Sequence, residues 1–342
     1  MALSRKSEGR PEITRVLPDA AIPGGEFQIH GKNFVRAERP RVTVGDMPAP
    51  VVIGSDSYVV ARVPEGALGG ELVIENGEKS SPVWPCGIGV PVADSLHPVA
   101  NPAVDAQGNV YTTFSGSRGQ KTDVSVFRID RKHNLRPFLT DIMNATGLAL
   151  GRDGMLYVSS RNDGIVYQVT PSGGMSVFVE GMGIATGLAF DAEDNLYVGD
   201  RSGTIFKIAP SRQIYVFATM EPSIAAYHLA FGPDDRLYAT GPTTSSFDSV
   251  YRVSDTGEVE IYYRGLGRPQ GLAFDAGGRL YVAASLAGRK GVVRIDSGRR
   301  AELFLSGPGI VGLAFAPGRS LIVATNNALY RVDADLPGKP LV

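Results

Sequence analysis

Tyr227 and His228 stand side by side in SIAAYHLAF, a phenol next to an imidazole. Facing one opening, such a pair can move protons to and from a substrate, because the imidazole titrates near neutral pH and the phenol donates a hydrogen bond. The competing role for His228 is packing, with its ring hydrogen-bonded to a neighbouring strand. Other polar side chains recur at matched places. Thr146 and Thr186 precede Gly147 and Gly187 in two ATGLA segments, and Gln270 precedes Gly271 in QGLAF. Asp200 and Arg201 follow LYVG, and Arg161 holds the matching place one copy earlier. His97 lies just ahead of a weaker copy, NPAVDAQGNVYTT, which Asn101 opens. Brought to one opening, these hydroxyls, amides and charges would hold a small polar ligand such as a sugar, a peptide or a cell-wall fragment, or a protein partner.

Other chemistries lack their residues. No G-x-S-x-G elbow, G-x-x-x-x-G-K-[ST] loop or H-E-x-x-H helix occurs in the sequence. Cys86 is the single cysteine, so it has no disulfide partner within the chain, and no base accompanies it. Acidic turns such as DAEDN and GPDDR invite a calcium reading. They recur with different acids in each copy, which is what turn formation alone asks for.

The elements that must position these residues come from a repeat. Gly147, Gly187, His228, Gly271 and Gly312 recur every 40 to 43 residues, and Asn101 holds the place in the weak copy. Each unit reads as four short strands. GLAF comes first, then an Asp/Gly turn and LYV, then a third strand such as GIVYQV or GTIFKI, then an alternating fourth such as MSVFVE. Four antiparallel strands every forty-odd residues describe a propeller blade, and six units predict a six-bladed β-propeller over 95–342. The sixth unit ends early, at ALYRV. Its outer strand is expected from GIGVPVA in the 85–94 linker rather than from the C-terminal KPLV. Residues 11–84 alternate without the forty-residue unit and predict a small β-sandwich, preceded by a flexible tail over 1–10. The fold class is all-β, an Ig-like sandwich followed by a propeller.

Two resemblances sharpen this. Residues 11 to 83 resemble the IPT/TIG family of immunoglobulin-like domains through Pro11, Ile13, Pro18, Gly25, Phe27, Ile29 and the Gly31-Lys32-Asn33-Phe34 element. Val42, Val44, Gly45, Val63-Pro64, Gly66, Leu72 and Ile74 continue the pattern. That resemblance implies a spacer or binding module. A few members of the family bind DNA through basic loops. Here the basic residues are Lys32, Arg36, Arg39 and Arg41, read as a solvated loop. The repeats, through GLAFDAEDNLYV and its copies with IVYQV and VYRV, resemble NHL-repeat and gluconolactonase-like propellers. In gluconolactonase-type enzymes the resemblance implies Glu, Asn and Asp ligands for calcium at the starts of the inner strands. This chain has Ala100, Thr146, Thr186, Tyr227, Gln270 and Val311 there, with no carboxylate. No cofactor is therefore expected. Ca²⁺ belongs only to the alternative reading, a lactonase, hydrolase or lyase with a rearranged centre. The preferred reading is a non-catalytic binding propeller presented by an Ig-like module.

Composition narrows the partners. The 34 basic and 35 acidic side chains nearly cancel, giving no overall field for nucleic acid. No run of eighteen apolar residues predicts a membrane-spanning helix. MALSRKSEGRPEI lacks the apolar stretch of a signal peptide, so the chain as written is expected in the cytoplasm, or in the periplasm or outside the cell if a signal has been removed.

Overall fold

The computed structural model describes residues 9–35, 39–116, 120–245 and 247–338. Arg36, most of the expected N-terminal tail and the KPLV end fall outside them. The described residues contain strands and turns and no helix. The chain divides into two compact units. One holds residues 1–90 with 289–292 and 303–308, and the other holds the remainder.

In the first unit, β-branched and aromatic residues at alternate positions make two four-stranded sheets. Glu12–Leu17, Glu26–Lys32, Tyr58–Arg62 and Val51–Gly54 form one, in that order. Met47–Ala49, Arg41–Val44, Glu71–Glu75 and Trp84–Pro85 form the other. Phe27, Ile29, Phe34, Val42, Val44, Leu72 and Ile74 fill the core between them. The Gly31-x-Asn33-Phe34 element has a physical reason. Asn33 adopts φ 61°, which Asn tolerates better than most residues. Its carbonyl accepts from Asn76 Nδ2 at 2.6 Å. The turn so formed drops Phe34 into the core, where its ring takes the space beside Gly31 that a Cβ would occupy.

In the second unit the four-stranded pattern recurs. Ala145–Leu150, Leu156–Ser160, Ile165–Val169 and Met175–Val179 form one antiparallel sheet in sequence order, and Ala185–Phe190, Leu196–Asp200, Thr204–Ile208 and Ile214–Thr219 form the next. Ala103–Val104, Val110–Thr113, Val126–Ile129 and Leu135–Leu139 precede them. His228–Phe231, Leu237–Thr240, Asp248–Val253 and Val259–Gly267 follow, and the long last strand also pairs with Leu280–Leu286. Leu272–Phe274 lines up against Leu280–Leu286 in the same way as the other inner strands. Ile310–Ala316, Ser320–Thr325 and Leu329–Asp333 are completed on the outside by Val90–Ala93, a strand drawn from the stretch before the first repeat.

Two side-chain patterns join neighbouring sheets. The Tyr of each LYV or LYA packs edge-to-face on the Phe of the next inner strand: Tyr157 on Phe190, Tyr197 on Phe231, Tyr238 on Phe274 and Tyr281 on Phe315, with centroids 4.8–5.3 Å apart. Each such pair adds about 0.5–1.5 kcal/mol beyond burial. The phenol of each of these tyrosines donates to the Asp of its own turn. Asp191 is typical. It accepts from Glu193 N, Asn195 N, Asn195 Nδ2 and Tyr197 Oη at 2.8–3.1 Å. Asp105 and Asp275 repeat the arrangement. The acidic turns therefore work as turn and packing chemistry.

Candidate ligand-binding site

The inner strands have two ends, and they differ. At the N-terminal ends, Thr146–Gly147 and Thr186–Gly187 sit in bulges, where the pairing jumps from Ala145↔Ser160 to Leu148↔Val158 and from Ala185↔Asp200 to Leu188↔Val198. A bulge leaves backbone groups unpaired by the ladder. Hydroxyls take them up. Gly147 N donates to Ser159 Oγ at 2.8 Å, and Ser159 Oγ donates to Thr186 O at 2.6 Å. Thr186 Oγ1 donates to Gly199 O at 2.7 Å and accepts from Tyr227 N at 3.1 Å. Thr240 Oγ1 donates to Gln270 O, and Gly271 N donates to Val311 O at 3.1 Å. The glycines are required because the strands crowd. A Cβ on Gly147 would meet Thr186 O, one on Gly187 would meet Tyr227 O, and one on Gly312 would meet Ala100 O, all inside contact distance.

The polar residues singled out in the sequence are mostly consumed here. Thr146, Thr186, Tyr227 and His228 are 1–3% exposed. Thr146 Oγ1 donates to Asn144 O. The Tyr227 phenol donates to Glu221 O, and burial raises its pKa far above the ordinary value. The Tyr227 ring fills space that Gly199 and Gly241 leave. His228 is pushed down to about 4 by burial, so it is neutral at physiological pH, and its buried Nε2 has no hydrogen-bond partner. The structure puts both Tyr227 and His228 inside the protein, packed among neighbouring strands. Asp200 is also buried and accepts from Ile184 N, Ser202 N and Ser202 Oγ. Arg201 donates to Ser223 O and Ile224 O, and Arg161 donates to Gly116 O. These three tie loops together. Gln270 is half-buried, and its N–H donates to Ala283 O. His97 is exposed beside Phe114, with ring centroids 6.5 Å apart.

The C-terminal ends of the same strands surround a cavity of about 660 Å³. Its wall repeats one pattern, Leu148-Ala149-Leu150, Leu188-Ala189-Phe190, Leu229-Ala230-Phe231, Leu272-Ala273-Phe274 and Leu313-Ala314-Phe315. Asp105, Arg152 and Arg319 stand among the lining residues at the turns. Asn101, alone among the singled-out residues, reaches this space. Its Nδ2 donates to Leu272 O at 2.9 Å, and its Oδ1 accepts from Leu313 N at 3.0 Å. A mostly apolar cavity of this size with a few polar groups suits a small-molecule ligand. Sequence reasoning missed it because the Leu-Ala-Phe copies read as core. The signal was the recurrence of one triplet on the strand that forms the edge of each sheet. Among the described residues, no group of three or more His, Cys, Asp or Glu side chains has a metal-site arrangement, and no helix is long and apolar enough to cross a membrane.

Comparison with known proteins fits both units. Residues 11–83 match the family model of the IPT/TIG domain. A search of curated protein sequences finds no match. Among solved structures, a gluconolactonase from Xanthomonas campestris is 16% identical, with 74% of this chain and 90% of that chain covered and a TM-score of 0.61. A catalytically inactive virginiamycin B lyase from Staphylococcus aureus with quinupristin is 15% identical, with 97% of each chain covered and a TM-score of 0.52. An auxiliary nutrient binding protein from Bacteroides ovatus is 14% identical, with 95% of this chain and 98% of that chain covered and a TM-score of 0.55. Residues 11–83 are thus an IPT/TIG domain, and the repeats that follow have the fold of the gluconolactonase-like and virginiamycin B lyase propellers.

Proposed function

We propose that the chain is a non-catalytic binding protein, an IPT/TIG module joined to a six-bladed propeller. The blade number rests on the four-stranded groups described above and on the chain of inner-strand contacts from Gly147 through Thr186, Tyr227, Gln270 and Val311 to Ala100. The observation that carries the binding reading is the state of the N-terminal ring. The positions where gluconolactonase-type propellers hold oxygen ligands carry Ala100, Thr146, Thr186, Tyr227, Gln270 and Val311 here, and the hydroxyls among them are bonded to backbone. Hydrolysis through a hard cation asks for carboxylates turned towards one free position. The likeness to an auxiliary nutrient binding protein over 95% of the chain supports the same reading, because that share is too large to leave out residues 1–90.

The competing reading is a lactonase or lyase with a rearranged centre. The likeness to the gluconolactonase and the virginiamycin B lyase favours it. The two separate in one experiment. The purified chain is incubated with δ-lactones and aryl esters in EDTA, Ca²⁺, Mg²⁺, Mn²⁺ or Zn²⁺, and thermal melts are recorded under the same conditions. The binding reading predicts hydrolysis at the buffer rate and melting points that ignore the ion. Ion-dependent turnover that Gln270→Ala abolishes would overturn it.

A further inference from the structure

This inference rests on the binding reading and names its site and ligand class. We propose that the cavity at the C-terminal ends of the inner strands takes a small uncharged molecule with an apolar body and a secondary amide, of the cyclic dipeptide type.

The argument starts from strand edges. Each inner strand is the edge of its sheet, so half of its backbone N–H and C=O groups face away from the second strand. Asn101 demonstrates what these groups accept. Its side-chain amide bridges Leu272 O and Leu313 N, donating to one and accepting from the other. Leu272 and Leu313 hold the same register, opposite Val282 and Val323. Leu148, Leu188 and Leu229 repeat that register opposite Val158, Val198 and Ala239. Their backbone groups therefore face the cavity at the level where Asn101 already binds as an amide.

The rest of the wall selects against other ligands. Its repeated residues are the Leu, Ala and Phe of the triplets, whose side chains also pack between neighbouring sheets. The charged groups near it already have partners. Asp105 accepts from Asn109 and Tyr111, Arg319 pairs with Asp335 at 2.6 Å, and Arg152 lies 3.7 Å from Asp194. An anionic ligand gains no free counter-charge among these groups, since both arginines are paired. A pure hydrocarbon would strip water from the strand edges and return no hydrogen bond. An amide with an apolar body satisfies both walls, as Asn101 does on its side.

The test uses the full chain and two probes, cyclo(Leu-Phe) and the cyclic diester of the same shape in which both N–H groups are oxygen. Binding is read by calorimetry and by thermal melts. Expected are saturable binding of cyclo(Leu-Phe) with a raised melting point, and binding of the diester weaker by about tenfold or more. Ala316→Phe, at the half-buried end of its strand on the cavity wall, is expected to weaken cyclo(Leu-Phe) by about tenfold or more in protein that still melts cooperatively. Equal binding of the two probes would overturn amide recognition, and this comparison needs no variant. Binding untouched by a folded Ala316→Phe would place the site elsewhere, and no binding of either probe at millimolar concentration would sink the proposal. In those cases the binding reading stands. Enzyme-dependent hydrolysis of the diester would overturn the binding reading itself.

Discussion

The two ends of the inner strands are built from the same repeat and have opposite characters. The N-terminal ends carry most of the polar residues and are closed. The C-terminal ends carry Leu, Ala and Phe and are open. Polar residue types at matched positions look like a site, yet at Thr186 the hydroxyl is fully engaged between Gly199 O and Tyr227 N. Apolar residues look like core, yet the Leu-Ala-Phe triplets also line a cavity of about 660 Å³. Which end can take a ligand depends on whether hydrogen bonds are already spent and whether volume is left over.

Breaking the closed end has the largest effect. Gly187→Leu forces a side chain against Tyr227 O and is expected to cost about 3 kcal/mol or more, read as a lowered denaturation midpoint. His228 gives a pH signature of the same size. Its pKa falls from 6.5 to about 4 in the folded chain, so the unfolded chain binds its proton first as the pH drops. The stability it leaves intact above pH 6.5 is lost between 6.5 and 4, on the order of 3 kcal/mol. His228→Leu is expected to flatten the stability profile over that window. An unchanged slope would mean that His228 is open to solvent.

Smaller changes sharpen the contrast. Asp191→Ala unpairs three N–H groups and a phenol and is expected to cost about 2–3 kcal/mol. Thr186→Val leaves Gly199 O and Tyr227 N unpaired at a cost of about 1–2 kcal/mol by the same measurement. At the open end, Ala316→Val is expected to cost about 1 kcal/mol, because its strand tolerates a β-branched residue while the added methyls press on the buried cluster that includes Val92 and Ile322.

The repeat made much of this fold readable. The regular return of Gly before Leu-Ala-Phe marks the crowding of inner strands, and the Asp before each LY marks the turn that its Tyr then caps. The Gly31-x-Asn33-Phe34 element marked the sandwich, because a positive φ and a buried ring next to a bare Cα leave few residue choices. The site was harder to read. Types and spacing say that Tyr227 and His228 are adjacent, and they do not say that Gly199 and Gly241 make room to bury Tyr227. Nor does Asn101 announce that it crosses to Leu272 and Leu313, because those partners are about 170 and 210 residues away in the chain. Contacts between distant repeats are fixed by closure of the fold, which local patterns do not encode.

The most direct test compares the two ends in one experiment. Thr186→Cys and Ala316→Cys are each made on a Cys86→Ser background, and the rate at which a small neutral maleimide labels the new thiol is measured on folded protein. The account predicts prompt labelling for Ala316→Cys. For Thr186→Cys it predicts labelling slower by on the order of a thousandfold, since that site must wait for an opening that costs several kcal/mol. Prompt labelling at Thr186→Cys with protection at Ala316→Cys would contradict it and return the ligand site to the N-terminal ring.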